Sequence, residues 1–119
     1  MRDIFTFGSN TAGRHGKGAA LFAKKYHGAI YGQGVGLQGN SYAIPTKDNK
    51  INTLPLTEIK KYVDIFIQFS YDNPDLRFIL TAVGCGLAGY KPHEIAWMFK
   101  NVPNNVILPE EFKECLGRL

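Results

Sequence analysis

A chain of 119 residues, 45% hydrophobic and 20% charged, has the size and balance of one globular domain with a single sizeable core, which excludes a disordered or low-complexity chain. No apolar run approaches the roughly 20 residues of a membrane span, and the apolar run in Met1–Phe7 is too short for a signal peptide, so a cytoplasmic protein with no membrane partner is expected. The formal charge of +4 suits an anionic ligand, whereas Cys85 and Cys115 lack zinc spacing and His15, His27 and His93 form no pair at ligand spacing, so no metal, disulfide or cofactor is expected.

Asp3–Phe7 is a short apolar run ended by Gly8-Ser9-Asn10, which predicts a buried strand running into a turn. Ala12–Gly18 is glycine-rich and leads into a helix over 19–26, with Ala19, Phe22, Ala23 and Tyr26 on one face. Residues 29–39 carry four glycines and read as a mobile connection with a short strand at 29–31. Ser41–Lys47 follows as a strand, Pro45 favouring an edge or an end.

After a polar turn at 48–53, the longest helix is predicted over 56–71, Ile59, Tyr62, Val63, Phe66 and Ile67 facing inward and Lys60, Lys61, Asp64 and Gln68 outward. Arg77–Val83 reads as a buried strand, Gly84–Tyr90 as a second glycine-rich loop, and Pro92–Phe99 as a helix opening on proline. A last strand over 106–109 and a short helix over 110–116 complete the chain. Helices interleaved with short apolar strands predict a single three-layer α/β/α domain over 1–119 with a mixed, mostly parallel sheet.

Ligands of such sheets bind outside the carboxyl ends of the strands, and both glycine-rich loops follow strands. A strand, a glycine-rich turn and a helix start together offer unpaired backbone N–H groups beside little side-chain bulk, which suits phosphate. Gly84-Cys-Gly-Leu-Ala-Gly89 matches the dinucleotide pattern G-x-G-x-x-G, but its helix starts only at Pro92, after the motif and not within it. The first loop is no Walker A, since Gly18 follows Lys17. Ser9 and Asn10 could reach a ribose hydroxyl, Arg14 a phosphate, and Tyr90 could stack on a base or ribose. Cys85 reads as a reactive thiol beside a helix start or as a small packed residue, His93 as a surface residue, and Tyr62, Trp97 and Phe99 as core.

Gly16-Lys-Gly-Ala-Ala-Leu-Phe-Ala-Lys-Lys-Tyr26, Tyr42-Ala-Ile-Pro-Thr-Lys47, the 56–73 helix and Val83-Gly-Cys-Gly-Leu87 stand in the order and spacing of the macro domain, and the chain resembles that family over about 90 residues. The nearer likeness is to the subclass that removes ADP-ribose from acidic side chains with a lysine, and to short phage and bacterial proteins of that type. The resemblance implies ADP-ribose or a related nucleotide as ligand, with an ADP-ribosylated or host protein as partner. It implies binding by Gly8, Ser9, Asn10, Arg14, Gly16, Gly18, Thr46, Gly84, Cys85, Gly86, Leu87, Gly89 and Tyr90.

In that subclass the lysine after threonine at a strand end attacks the sugar, which makes Lys47 the catalytic candidate. The carboxylate that follows Gly-Cys-Gly-Leu in the subclass is replaced by Ala88, so weak or absent hydrolase activity is expected, with Asp48 as a substitute for the missing group. The adenine-reading acid of the family has no assigned counterpart, Asp3 standing too early in its strand. Two readings from other classes are a non-enzymatic sequestering or interaction protein and, from the pI near 9.1, a nucleic-acid binder.

Overall fold

A computed structural model describes residues 1–118, among which five strands and four helices alternate. The strands are β1 (Arg2–Asn10), β2 (Gly36–Gln38), β3 (Ser41–Lys47), β4 (Leu76–Leu80) and β5 (Val106–Ile107). The helices are α1 (Gly18–Tyr26), α2 (Leu56–Asp72), α3 (Pro92–Ile95), continued by a 3-10 turn over Ala96–Phe99, and α4 (Glu110–Cys115). They form one mixed sheet of order β2-β3-β1-β4-β5, in which only β2 is antiparallel to its neighbour. Among the described residues no helix is long and apolar enough to cross a membrane.

Side chains alternate across β1, so its two faces enter different cores. Ile4 joins Tyr42, Ile44, Phe78 and Leu80 under α2, whose Ile59, Val63 and Phe66 are fully buried as the helical period predicts. Phe66 stands edge-on to Tyr42 and to Phe78, with ring centroids 5.0 and 5.3 Å away. On the other face, Phe7 and Ala43 pack against Ala20 and Ala23 of α1.

The inward face of α1 differs from the expected one. Ala20 and Ala23 are buried, while Phe22 is 47% and Tyr26 69% exposed. The helix lies so close to Phe7 and Ala43 that only methyl groups fit, and Phe22 turns outward beside Phe5 and His27 at 5.4 Å from each. Trp97, expected in the core, is 47% exposed, its indole N–H donating to the Glu94 carbonyl; Phe99 is fully buried and Tyr62 half-buried.

Strand boundaries also shift. Gly8-Ser9-Asn10 is the end of β1 and not a turn, because Gly8, Ser9 and Asn10 pair with Ile44, Pro45 and Lys47. The strand expected at 29–31 is absent; the pairing falls at Gly36–Gln38, with Leu37 opposite Tyr42. β4 stops at Leu80: the Thr81 amide completes the ladder with the Thr6 carbonyl, which also accepts the Thr81 hydroxyl, and the Val83 amide then donates back to the Thr81 carbonyl as the chain turns away.

β1 leads through α1 to β3 on one side, and β3 leads through α2 to β4 on the other. The order of strands therefore reverses at β1, and the carboxyl ends of β3, β1 and β4 lie side by side at the place where doubly wound sheets receive ligands.

Candidate functional site

Three segments leave that edge together: residues 11–17 after β1, 48–53 after β3 and 81–91 after β4. Between them opens a cleft of about 940 Å³, at the upper end of the range for small-molecule sites. Gly8, Ser9 and Asn10 of β1, Thr46 and Lys47 of β3, and Arg14, Gly16 and Gly18 of the first loop and helix start line it. Gly84, Cys85, Gly86 and Leu87 line it from the second loop, joined by Ala88. At the cleft's floor a Cβ on Gly8 would lie 3.5 Å from Thr46 Oγ1 and 3.6 Å from the Gly84 amide nitrogen.

Gly89 and Tyr90 are outside the cleft wall. The Tyr90 ring packs against the main core and its hydroxyl donates to the Leu54 carbonyl at 2.7 Å, so the one aromatic expected to stack on a base is spent on anchoring the loop. Ser9 and Asn10 are buried and occupied as well. Ser9 Oγ donates to the Gly34 carbonyl, while Asn10 accepts from the Arg14 amide at 2.9 Å and donates to its carbonyl at 3.1 Å. Asn10 thereby closes the first loop in the manner of an Asx turn and keeps one N–H and one lone pair for other partners.

The backbone supplies the donors that these side chains do not. Among the described residues the amides of Gly84, Gly86, Leu87 and Ala88 donate to no protein acceptor, although Cys85, Gly89 and Tyr90 do. Across the cleft, the first intrahelical bond of α1 is Leu21 N–H to Lys17, which leaves the amides of Gly18, Ala19 and Ala20 unpaired beneath the helix dipole. Neither Gly16 nor Gly86 would bring a Cβ within 4 Å of any described residue beyond its chain neighbours, so both present open backbone to whatever enters. Gly84 is different: with φ at 79° and a Cβ that would meet Ile95 Cδ1 at 3.1 Å, it forms the bend itself.

Among the described residues the lining holds three cations, Arg14, Lys17 and Lys47, and a single carboxylate, Glu111 at the start of α4. None of the three cations is ion-paired among the described residues. Asp48 is absent from the lining. Its carboxylate accepts the Lys50 and Asn52 amides at 2.8 and 2.9 Å, bonds that hold it below the usual aspartate range and commit it to closing the 48–52 turn. Burial, with smaller contributions from Glu111, Cys115 and Glu94, pushes the Cys85 thiol up to about 11, which makes it a neutral packed group and not an activated nucleophile. Asp3 lies at the far end of β1, bound through both oxygens to Arg77 at 2.8 and 2.9 Å.

Three site features had no usable signal in the chain. Lys17 and Glu111 line the cleft only because α1 starts and α4 ends up there. Ile51 also lines it, with φ at 64°, a left-handed conformation that a β-branched residue rarely adopts and that strained sites favour. His15 is fully buried behind the first loop; its Nε2 lies 2.9 Å from the Gln33 carbonyl and 3.2 Å from Gln38 Oε1, both acceptors, so the ring proton sits on Nε2. Comparison of the chain with family models, with curated proteins and with solved structures gives no match.

Proposed function

We propose that this protein binds ADP-ribose or a related nucleotide in the cleft, with its diphosphate between the two glycine-rich loops, and that it hydrolyses ADP-ribosyl bonds weakly or not at all. The observation that carries the reading is that the residues of two sets of unpaired amides, those of Gly84, Gly86, Leu87 and Ala88 and those of the first turn of α1, line one cleft together with Arg14, Lys17 and Lys47. Amides of fixed direction beside unpaired cations recognise an anion with several oxygens. The resemblance of the glycine-rich loops to those of the macro domain narrows that anion to a nucleotide diphosphate.

A catalytic lysine needs a lowered pKa and a carboxylate to manage protons. Ala88 supplies none and lends its carbonyl to the Thr53 hydroxyl at 3.0 Å, while Asp48 is committed to its own turn. Calorimetry with ADP-ribose, NAD and AMP is expected to give a Kd well below about 1 mM for at least one of them. Absence of binding to all three would overturn the reading. Release of ADP-ribose from a glutamate-modified protein is expected to be near background for wild type and Lys47→Ala and to rise in Ala88→Asp. Robust wild-type release that is lost in Glu111→Gln would make Glu111 the substituting acid and the protein a hydrolase.

A further inference from the structure

Between Asp3 and Asp48 the chain contains no Asp or Glu, yet it carries Arg14, Lys17, Lys24, Lys25 and Lys47; residues 48–119 are close to neutral. The formal charge of +4 is therefore not spread over the molecule but concentrated in the first loop, α1 and the end of β3. The ion pairs follow the same division. Lys60, Lys61, Arg77 and Lys113 each face a carboxylate within 4 Å, whereas none of the five cations of the acid-free segment does among the described residues.

Lys17 caps the start of α1 at the cleft and Lys24 stands in its last turn, about 10 Å further along the axis, with Lys25 beside Lys24. At the end of this track Tyr31 is 58% exposed, and Lys24 Nζ sits 5.3 Å from its ring centroid. We infer that the set Lys17–Lys24–Lys25–Tyr31 is a binding track for single-stranded nucleic acid, the lysines meeting successive phosphates and the Tyr31 ring offering a stacking face to an unpaired base. Unpaired cations without competing carboxylates attract any polyanion, but an exposed ring at the end of the track discriminates for a strand whose bases are free. The inference does not rest on the nucleotide reading of the cleft and survives its failure.

Fluorescence anisotropy of a labelled oligothymidylate of about 12 nucleotides, at salt between about 50 and 200 mM, tests it. Wild type is expected to bind with a negative salt slope. Lys24→Gln/Lys25→Gln should weaken binding about tenfold and flatten the slope by roughly 1.4, while Lys60→Gln/Lys61→Gln, which removes the same charge from ion-paired positions on α2, changes affinity less than about twofold. Tyr31→Ala should cost about fivefold or more, with circular dichroism unchanged. Equal losses from the two lysine pairs, equal or tighter binding of a duplex DNA of about 12 base pairs or of polyglutamate, or no binding at the lowest salt would each overturn the inference.

Discussion

Residues 11–17 and 81–91 both follow parallel strands, both contain glycines and both border the cleft, yet they are held in different ways. The first loop is fastened along its length. Asn10 brackets Arg14, His15 is buried against Gln33 and Gln38, and the Gly13 carbonyl takes the Gly32 amide at 2.8 Å. The second loop is fastened mainly at its ends, by the Cys85 amide to Ala82 and by the Tyr90 amide to Gly84 with its hydroxyl on Leu54; between them the Thr53 hydroxyl ties the Ala88 carbonyl, while the amides of Gly86, Leu87 and Ala88 are unpaired among the described residues. A cleft with one wall fixed in advance and one wall of free donors binds an anion without first ordering both sides, and the entropy lost on binding falls on one short segment.

Removing the fastening of the first loop is expected to have the largest effect. A Cβ on Gly34 would lie 2.3 Å from the Asn10 carbonyl oxygen and 2.7 Å from that of Thr11, both backbone atoms of the loop. Neither can yield without moving the end of β1, so Gly34→Ala should destabilise the fold by about 3 kcal/mol or more. Chemical denaturation measures this; a loss under about 1 kcal/mol would mean that the 28–38 segment does not support the cleft.

The opposite substitution belongs in the second loop. Because Gly86 is exposed and a Cβ there meets nothing within 4 Å, Gly86→Val should fold with almost unchanged stability, and the added side chain should stand over the free amides. Affinity for the nucleotide is expected to fall by about 2 kcal/mol, roughly 30-fold, by calorimetry. Unchanged affinity in the folded variant would move the anion to the α1 side of the cleft.

The contrast also explains what could be read from the chain. Strand, glycine loop and helix follow one another at 2–26 and 76–99 as composition and period predict, because buried apolar runs and glycine clusters are local signals. The supports of the first loop are not local. β2 exists only by pairing with β3, so glycine-rich residues 29–39 give no strand pattern of their own, and a histidine in a loop carries no sign that Gln33 and Gln38 will enclose it. On α1, Phe22 and Tyr26 share the apparent apolar face with Ala23, and only the closeness of Phe7 and Ala43 selects the alanines. The cleft's glycines were legible for the opposite reason: where no side chain is tolerated or needed, the sequence itself states it. Tyr90 was misplaced because adjacency to a loop does not tell which way a ring turns.

The smallest expected effect concerns Cys85, and it separates backbone from side-chain chemistry in the second loop. A thiol whose pKa stands near 11 is almost entirely protonated at pH 8, about one thiolate in a thousand, against about one in four for an unperturbed cysteine. The sign follows from the upward shift: reactivity is absent through neutral pH and rises only as pH approaches 11. Cys115 is exposed and serves as the internal reference. With an aromatic disulfide reagent at pH 8, one thiol per chain should react quickly and be lost in Cys115→Ser, and the second should react at least about tenfold more slowly, the smaller thiolate fraction outweighing the greater nucleophilicity of a more basic thiolate. Binding should persist in Cys85→Ser, whose hydroxyl replaces a thiol that makes only a 3.6 Å contact to the Val83 carbonyl. If Cys85 instead reacts as fast as Cys115, the thiol is activated, and the loop works through its side chain as well as through its amides.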